Sequence, residues 1–350
     1  MRSMCAIWIS DRELIMARAV VRGSGHYVPD RVVTNDELAE RMPTSDEWIQ
    51  QRTGIKERRH VDFDNDPQGS SAMGAKAAQA ALSDAGLSPT DIDCVIYGTL
   101  SPDKVFPGDA VLIQAAIDIP SGVPCFDLRN QCSGFLYGLQ TADAFIRGGI
   151  YRRVLLIGAE THSTGLDFTE RGRDVAVIFG DGAAAVVLER SDDESRGVLA
   201  HTLGADGRFA DELHCSYPSS AMNPRVTVEK IKEDIHYPVM NGKNVFKHAV
   251  TRMPEAVNTV LSETGLKVSD LDLLIPHQAN LRISEMVQKR LELRDDQVFN
   301  NIMHYGNTTA ASIPLALDEA RKSGRIGDGS LVCLAAFGAG FTWGAALIRF

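Results

Sequence analysis

The sequence of 350 residues is poor in cysteine and has no long apolar run. Its six cysteines include no Cys-x-x-Cys pair, which argues against a disulfide scaffold and a structural zinc site and favours a reducing cytoplasm. No apolar run is long enough to span a membrane, and the net charge of −10 argues against nucleic acid as the main partner. Phosphate-binding loops and dinucleotide-binding fingerprints are also missing. These absences predict a soluble cytoplasmic protein that binds neither membrane nor nucleic acid.

Residues 1–16 differ from the remainder of the chain. Their apolar patch, residues 5–9, is too short for the core of a signal peptide and is followed at once by Asp11, Arg12 and Glu13. A strand-like pattern begins only at Ala17. We therefore expect residues 1–16 to be a disordered extension.

Short apolar runs alternate with helical patterns along the rest of the chain, which favours an α/β architecture. The polar stretch 191–196 is the natural junction between two halves, residues 17–195 and residues 196–350. Each half is predicted to end with two adjacent strands and no helix between them. This shared pattern indicates an internal duplication.

Cys132 is the first candidate for chemistry, because it follows a predicted strand at 124–128 and begins a helical pattern that extends to about Arg147. A helix N-terminus favours the thiolate, which is the nucleophilic form of cysteine. The other five cysteines fit structural roles, and a buried structural cysteine is the commoner case for Cys132 as well.

Three further features are candidates for the same site as Cys132. His277 follows the apolar strand predicted at 271–276, Asn307 lies in a turn before a helix, and the glycine-rich segment 337–341 interrupts the closing strands. Each alone fits a structural role. Together they fit decarboxylation of a malonyl thioester, because a neutral imidazole and a carboxamide can donate hydrogen bonds to an enolate oxygen.

Seven short motifs are spread along the chain. They are the segments 44–49 (TSDEWI), 52–55 (RTGI), 130–135 (NQCSGF), 179–183 (FGDGA), 276–283 (PHQANLRI), 306–308 (GNT) and 341–344 (FTWG). In these motifs and in their order, the chain resembles the β-ketoacyl-acyl-carrier-protein synthase III family from about Val21 to Phe350. The resemblance implies a thiolase-like fold, in which two similar βαβαβαββ halves form a five-layered α-β-α-β-α body.

The resemblance also implies a set of site residues. The catalytic triad would be Cys132, His277 and Asn307, and the backbone amides of Cys132 and Ala339 would stabilise the oxyanion. Trp48 and Arg171 would enclose the CoA adenine, and Phe106 would reach across a homodimer into the acyl pocket. The remaining implied CoA contacts are Arg52, Thr53, Gly242, Phe246, Ala279 and Asn280, and the implied carrier-protein docking residues are Lys247, Arg282, Lys289 and Arg290.

The implied reaction initiates fatty acid synthesis. An acyl-CoA acylates Cys132, and decarboxylative Claisen condensation with malonyl-acyl-carrier protein then gives β-ketoacyl-carrier protein, CoA and carbon dioxide. The partners are therefore acyl-CoA, malonyl-acyl-carrier protein and a second copy of the chain, with no metal and no cofactor.

The chain departs from the family pattern in four places. Ala339 replaces a glycine, and Ser133 follows the cysteine where alanine is common. The segment 216–239 is longer than expected for the housekeeping enzyme, and residues 161–173 also differ. Because both segments should border the acyl pocket and its entrance, the identity of the acyl primer stays open.

Three alternatives follow from these departures and from the fold. A specialised enzyme of secondary metabolism could transfer the acyl group to oxygen or nitrogen, or carry out a variant condensation. A biosynthetic thiolase is disfavoured because Phe337, not a second cysteine, begins the glycine-rich segment, and Cys333 lies four residues earlier. A catalytically silent acyl-CoA or carrier-protein binding module gains no support, since all three triad residues are present.

Overall fold

The computed structural model describes residues 17–350, so the extension predicted for residues 1–16 lies outside the described part of the chain. Within the described part, the strands are β1 Arg18–Tyr27, β2 Val32–Thr34, β3 Glu57–Arg59, β4 Cys94–Gly98, β5 Cys125–Leu128, β6 Arg153–Glu160, β7 Gly182–Ser191, β8 Gly197–Ala205, β9 Leu213–His214, β10 Val239–Met240, β11 Leu273–Pro276, β12 Leu331–Gly338 and β13 Thr342–Arg349. The α-helices are α1 Asn35–Arg41, α2 Asp46–Thr53, α3 Ser70–Ala85, α4 Asp109–Ala116, α5 Gly134–Arg147, α6 Arg173–Ala176, α7 Val228–Lys232, α8 Gly242–Thr264, α9 Leu281–Arg290, α10 Ile302–Tyr305 and α11 Ser312–Lys322.

The first large sheet has the order β1-β7-β6-β4-β5. Strand β7 runs antiparallel to both of its neighbours, β1 and β6, whereas β4 runs parallel to both β6 and β5. Parallel strands need a crossover, and α4 and α5 supply it around β5. The carboxyl ends of β5, β4 and β6 therefore meet at one edge, which is where α/β sheets usually bind ligands.

The second large sheet repeats this arrangement. Its order is β11-β12-β13-β8, with β8, β13 and β12 antiparallel and β11 parallel to β12. A single parallel bridge between Leu274 and Val298 stands where β5 stands in the first sheet. The two sheets thus confirm the internal duplication inferred from the sequence.

Successive side chains of a strand point to opposite faces of its sheet, and each face packs against helices. The two sheets and the helices between and outside them form five layers. Ile96 of β4 packs with α5 and α11 in the middle layer, while Tyr97 packs with α3 and α4 outside the first sheet. In the second sheet Leu334 of β12 faces the middle layer, and Cys333 faces α8 and α9. The predicted α-β-α-β-α body is confirmed, because both faces of both sheets are covered by helices.

The strongly periodic elements agree with the sequence predictions to within a few residues. Helices α3 and α8 end at Gly86 and Gly265, both in the left-handed conformation that glycine adopts most easily. Segment 337–341, predicted as a strand interruption, contains the end of β12 and the tight turn 339–341 that leads into β13. The elements α1, α2, β2, β3, α7, β9 and β10 were not predicted, because they are short and carry little apolar periodicity.

None of the helices in residues 17–350 is both long enough and apolar enough to cross a membrane. The division into domains at residue 195 stays a prediction, although each large sheet draws its strands from only one side of that boundary.

Candidate active site

Cys132 lies in a sharp turn between β5 and α5. Gln131 has φ of +43°, and a 3-10 turn over Gln131–Ser133 leads directly into the helix. The second half of the chain closes on this turn, because a Cβ on Gly338 would lie 2.7 Å from Cys132 Cβ. Ser133 Oγ also lies 2.6 Å from Thr342 Oγ1. The nucleophile is therefore held between the two halves of the protein.

The Cys132 thiol is neutral in the unliganded protein. The side chain is 8% exposed, and burial, together with the charge of Glu160, raises the pKa of the thiol to about 12. Hydrogen bonds from its own backbone, from the Asn307 side chain and from the Ala339 backbone lower that pKa but do not offset burial. The backbone at the helix start therefore favours the thiolate as expected, but burial outweighs this effect and keeps the thiol protonated.

His277 follows β11, and its backbone N–H donates to Ala335 O at 2.7 Å. The residue is 3% exposed, and neither ring nitrogen has a hydrogen-bond partner within residues 17–350. Burial lowers the pKa of the imidazole to about 3, so the ring is neutral at physiological pH. A neutral imidazole with unused hydrogen-bonding capacity agrees with the role inferred from the sequence.

Asn307 has its carboxamide fixed by the surrounding loop. Its Oδ1 accepts a hydrogen bond from Thr309 N at 2.8 Å, and its side chain lowers the pKa of the Cys132 thiol. The backbone N–H of Asn307 donates to Ile178 O at 2.8 Å. Glycine precedes it because a Cβ on Gly306, at φ of +65°, would lie 2.7 Å from the same Ile178 oxygen. The amide nitrogen is thereby left to face the nucleophile.

The motif at 179–183 supports the site through Asp181. This buried carboxylate accepts hydrogen bonds from His162 N at 2.6 Å, from Val61 N at 2.8 Å and from the Ser163 hydroxyl at 2.6 Å. His162 Nε2 in turn lies 2.7 Å from Thr309 Oγ1. Asp181 therefore fixes the loop after β6 and, through Thr309, the loop that carries Asn307.

Glu160 is a buried acid close to the nucleophile that the sequence analysis missed. It accepts a 2.6 Å hydrogen bond from Ser101 Oγ and further bonds from the Leu100 and Ser101 amides. Burial raises its pKa to about 7. The available signal was a glutamate that ends an otherwise apolar predicted strand at 153–159. Glu160 joins the ends of β4 and β6 beside Cys132.

A cavity of about 840 Å³ opens onto Cys132. Its walls are formed by the loops after β4 and β6, by the turn before α5 and by the region around β9 and β10. His236 and Pro238 bring the long segment 216–239 into this wall. The segment noted in the sequence as unusual therefore borders the space beside the nucleophile.

The predicted adenine-binding pair is not assembled. The guanidinium carbons of Arg52 and Arg173 lie 4.1 and 4.6 Å from the Trp48 ring centroid. Arg171 is instead bound to Asp167 and to Asp234 of the long segment, at 2.6 and 2.5 Å. The role of Arg171 towards adenine stays a prediction, and Arg173 is a cation beside Trp48 that the sequence analysis missed.

The other predicted CoA contacts lie around α2, α8 and α9. Asn280 is the N-cap of α9, accepts from Arg282 N and donates to Arg52 O at 2.9 Å, which ties α9 to α2. Thr53 is buried, and its hydroxyl donates to Ile49 O. The remaining positions are Gly242 at the start of α8, Phe246 one turn later and Ala279 just before α9.

The four predicted docking cations lie on α8 and α9, two helices that pack together. All four residues are exposed: Lys247, Arg282, Lys289 and Arg290. Phe106 lies elsewhere, in the loop between β4 and α4, where it is 82% exposed beside Val105.

Comparison with known proteins identifies the family. The family models "3-Oxoacyl-[acyl-carrier-protein (ACP)] synthase III" and its C-terminal counterpart match residues 126–207 and 261–350. A β-ketoacyl-[acyl-carrier-protein] synthase III from Cereibacter sphaeroides is 45% identical over 336 residues, which cover 95% of this chain and 99% of the relative. The chain belongs to this synthase III family.

Solved structures agree with that assignment. The 3-oxoacyl-[acyl-carrier-protein] synthase III of Aquifex aeolicus is 42% identical, with a TM-score of 0.86 and coverage of 95% of this chain and 100% of the other. A priming β-ketosynthase of a polyketide biosynthetic pathway is 32% identical, with a TM-score of 0.85 and coverage of 95% and 96%. The fold is thus the predicted thiolase fold, and the protein is an acyltransferase, a condensing enzyme of the synthase III type in fatty acid biosynthesis.

Proposed function

We propose that this synthase transfers the acyl group of an acyl-CoA to Cys132 and then condenses it with malonyl-acyl-carrier protein. The setting of Cys132 carries the proposal, because its turn packs against Gly338 of the second half and opens onto a cavity of about 840 Å³. The Asn307 side chain adds support, since it lowers the pKa of the Cys132 thiol. His277 supports it with two unpartnered ring nitrogens in a buried, neutral imidazole.

In the first half-reaction Cys132 Sγ attacks the carbonyl carbon of the acyl-CoA. The backbone amides of Cys132 and Ala339, both of which reach the sulfur region, stabilise the oxyanion that forms. The bond to the CoA sulfur then breaks, and the thiol proton leaves with CoA as its free thiol. Since the pKa of the Cys132 thiol is about 12, proton loss must accompany attack rather than precede it.

In the second half-reaction malonyl-acyl-carrier protein loses carbon dioxide. The electron pair of the broken carbon–carbon bond becomes an enolate, whose oxygen accepts hydrogen bonds from His277 and Asn307. Neutral donors suit this step, since burial disfavours a charged imidazole. The enolate carbon attacks the acyl group on Cys132, and the sulfur leaves to release β-ketoacyl-carrier protein.

CoA and the carrier protein approach from the side of α2, α8 and α9. Trp48, with Arg52 and Arg173 beside its ring, offers a stacking surface for adenine and cations for the phosphates. The basic surface of Lys247, Arg282, Lys289 and Arg290 suits an acidic carrier protein, although the whole chain carries a net charge of −10. Local complementarity would therefore direct docking.

The protein would act as a cytoplasmic homodimer without a cofactor. Strand β5 is an edge of the first sheet, and Phe126 on it and Val105 and Phe106 nearby are exposed apolar side chains. An unpaired edge with an apolar border favours pairing with a second copy. Thioester chemistry at Cys132 needs only the protein donors described above, so no metal or cofactor is invoked.

A specialised condensation in secondary metabolism is the second candidate. It is favoured by the long segment 216–239, which reaches the cavity beside Cys132 through His236 and Pro238. The triad and the basic docking surface serve either pathway equally well.

Intact-mass measurement after incubation with acetyl-, butyryl- and octanoyl-CoA tests the proposal. We expect a covalent acyl adduct that disappears in Cys132→Ala and persists in Cys215→Ala, the matched loss of an exposed thiol that lines the same cavity. His277→Ala should keep the adduct but lose release of carbon dioxide from malonyl-carrier protein. An adduct that survives Cys132→Ala, or equal loss of both half-reactions in His277→Ala, would refute the assignment.

A further inference from the structure

The cavity beside Cys132 is separate from the predicted CoA site. None of its lining residues belongs to α2, α8 or α9, the helices that carry most of the predicted CoA and carrier-protein contacts. The acyl chain on Cys132 would therefore extend into this cavity while CoA occupies the other side. Its volume of about 840 Å³ lies in the range of pockets that enclose drug-sized ligands and far exceeds the needs of an acetyl group.

The cavity wall contains a cation without a partner. Arg129 is an exposed residue that lines the cavity three residues before the nucleophile, and it makes no ion pair or hydrogen bond within the described residues. Asp103 is the acid among the residues that line the cavity, and it makes no ion pair with Arg129; its carboxylate accepts hydrogen bonds from Ser70 Oγ and from the Ser71 amide and hydroxyl at the start of α3. An unpaired guanidinium beside apolar walls favours an anionic ligand.

Two further polar groups of the same wall lack partners. Thr161 is 9% exposed, and its Oγ1 is buried without a hydrogen bond in the described chain. His236 Nδ1 is also buried without a hydrogen bond in the described chain, and His236 belongs to the long segment 216–239 that borders the cavity. Buried polar atoms normally find partners, so these two atoms indicate that the ligand supplies them.

In the first large sheet, Arg129 and Thr161 lie on either side of the carboxyl end of β4. Arg129 follows β5 and Thr161 follows β6, and β4 lies between these two strands. With neighbouring strands about 4.8 Å apart, the two backbone positions are on the order of 10 Å from each other, a distance that an arginine side chain largely spans. A group held between them would lie over the segment Thr99–Ser101, near Cys132.

We propose that the primer of this enzyme is an acyl group with a distal carboxylate, an ω-carboxyacyl-CoA, read by Arg129 with help from Thr161 and His236. The proposal rests on the proposed function, because it concerns the acyl group that Cys132 receives. All three groups can donate hydrogen bonds, and a carboxylate accepts several at once. The chemistry at the thioester is unchanged: the acyl group moves from the CoA sulfur to Cys132 Sγ without oxidation or reduction.

Adipoyl-CoA and hexanoyl-CoA provide a matched test, since both carry six carbons and differ only at the distal end. We expect wild-type enzyme to form the Cys132 adduct from adipoyl-CoA at least about tenfold faster than from hexanoyl-CoA, the effect of one charge-assisted hydrogen bond. In Arg129→Met this rate ratio should fall by about tenfold or more. Arg129→Lys, which keeps the charge, should retain most of it.

Arg225→Met is the matched control, because Arg225 is an exposed arginine of the long segment that does not line the cavity. Its rate ratio should equal that of wild type. Thr161→Val should lower the ratio by several-fold, and thermal melting of each variant identifies any loss of folding.

The outcomes separate two failures. A wild-type preference for hexanoyl-CoA, or a ratio that Arg129→Met leaves unchanged, overturns the carboxylate assignment while acylation of Cys132 stands. Absence of a Cys132 adduct with every acyl-CoA overturns the proposed function itself and the primer assignment with it.

Discussion

Gly338 and Cys132 face each other across the boundary between the two halves of the protein. Gly338 ends β12, and a Cβ there would lie 2.7 Å from Cys132 Cβ and 3.2 Å from Cys132 N. Both contacts involve the backbone or the first side-chain atom of the nucleophile, so neither can be relieved by a rotamer change. The glycine therefore sets how closely the oxyanion donor Ala339 can approach the sulfur.

Gly338→Ala should displace the nucleophile turn and slow acylation of Cys132 by two orders of magnitude or more. Overpacking a close contact typically costs about 1–3 kcal/mol, so the melting temperature should fall by a few degrees while the fold persists. Quenched acylation reactions analysed by mass spectrometry measure the acylation rate, and a thermal melt measures the melting temperature. Gly327→Ala, where an added Cβ meets nothing within 4 Å, is the control. Equal acylation rates in the two variants would contradict the packing argument.

Periodicity and motif order were enough to predict the thiolase-like fold, which the two matching sheets confirm. Cys132, His277 and Asn307 stay predicted catalytic residues; the Asn307 side chain lowers the pKa of the Cys132 thiol, which agrees with that prediction. Glu160 and Arg129 were missed because their importance depends on burial, partners and the cavity, which have no local sequence pattern. The direction of the Cys132 pKa shift was missed for the same reason, since desolvation is a property of the assembled fold.

Glu160 should make the stability of the protein depend on pH. Burial raises the pKa of its carboxyl from 4.5 to about 7, so the folded state disfavours the charged form. This contribution to stability is therefore fully present below pH 4.5 and is lost as the pH rises towards 7. The loss is on the order of 3 kcal/mol, because each unit of pKa shift corresponds to about 1.4 kcal/mol.

Glu160→Gln removes this titration, so the fall in the free energy of unfolding between pH 5 and pH 7.5 should be smaller than in wild type. Urea denaturation at the two pH values measures it. The substitution should also lower the pKa of the Cys132 thiol, since the Glu160 charge raises it. Glu263→Gln, at an exposed acid of α8, should leave both quantities unchanged. If the free energy of unfolding of Glu160→Gln falls between pH 5 and pH 7.5 as much as that of wild type, the Glu160 carboxylate of the folded protein stays charged over this pH range.

Asp234 should compete with CoA for Arg171. The Arg171 guanidinium is bound to Asp234 at 2.5 Å and to Asp167, and these two ion pairs hold it over the Tyr237 ring and not over Trp48. In Asp234→Asn the dissociation constant for CoA should therefore fall by up to about fivefold, the scale of an exposed ion pair. Titration calorimetry with CoA measures it.

Arg171→Ala and Arg173→Ala complete that test. If Arg171 contacts adenine, its removal should weaken CoA binding and cancel the gain from Asp234→Asn. Arg173→Ala should weaken binding in either background, because Arg173 already lies 4.6 Å from the Trp48 ring. Unchanged affinity in both Arg171→Ala and Asp234→Asn would remove Arg171 from the CoA site.

Phe106 should be needed for association of two copies. It is 82% exposed beside Val105, at 69%, near the free edge of β5, an unusually apolar surface for a monomer. Phe106→Asp places a charge in that surface and should convert a dimer to a monomer at micromolar concentration, as measured by light scattering. Because Phe106 would also enter the partner's acyl pocket, the same variant should slow acylation even at concentrations that restore the dimer. Val32→Asp, at an exposed apolar residue of the separate two-stranded sheet formed by β2 and β3, should affect neither property. A dimer of unchanged stability in Phe106→Asp would place the interface on another face of the protein.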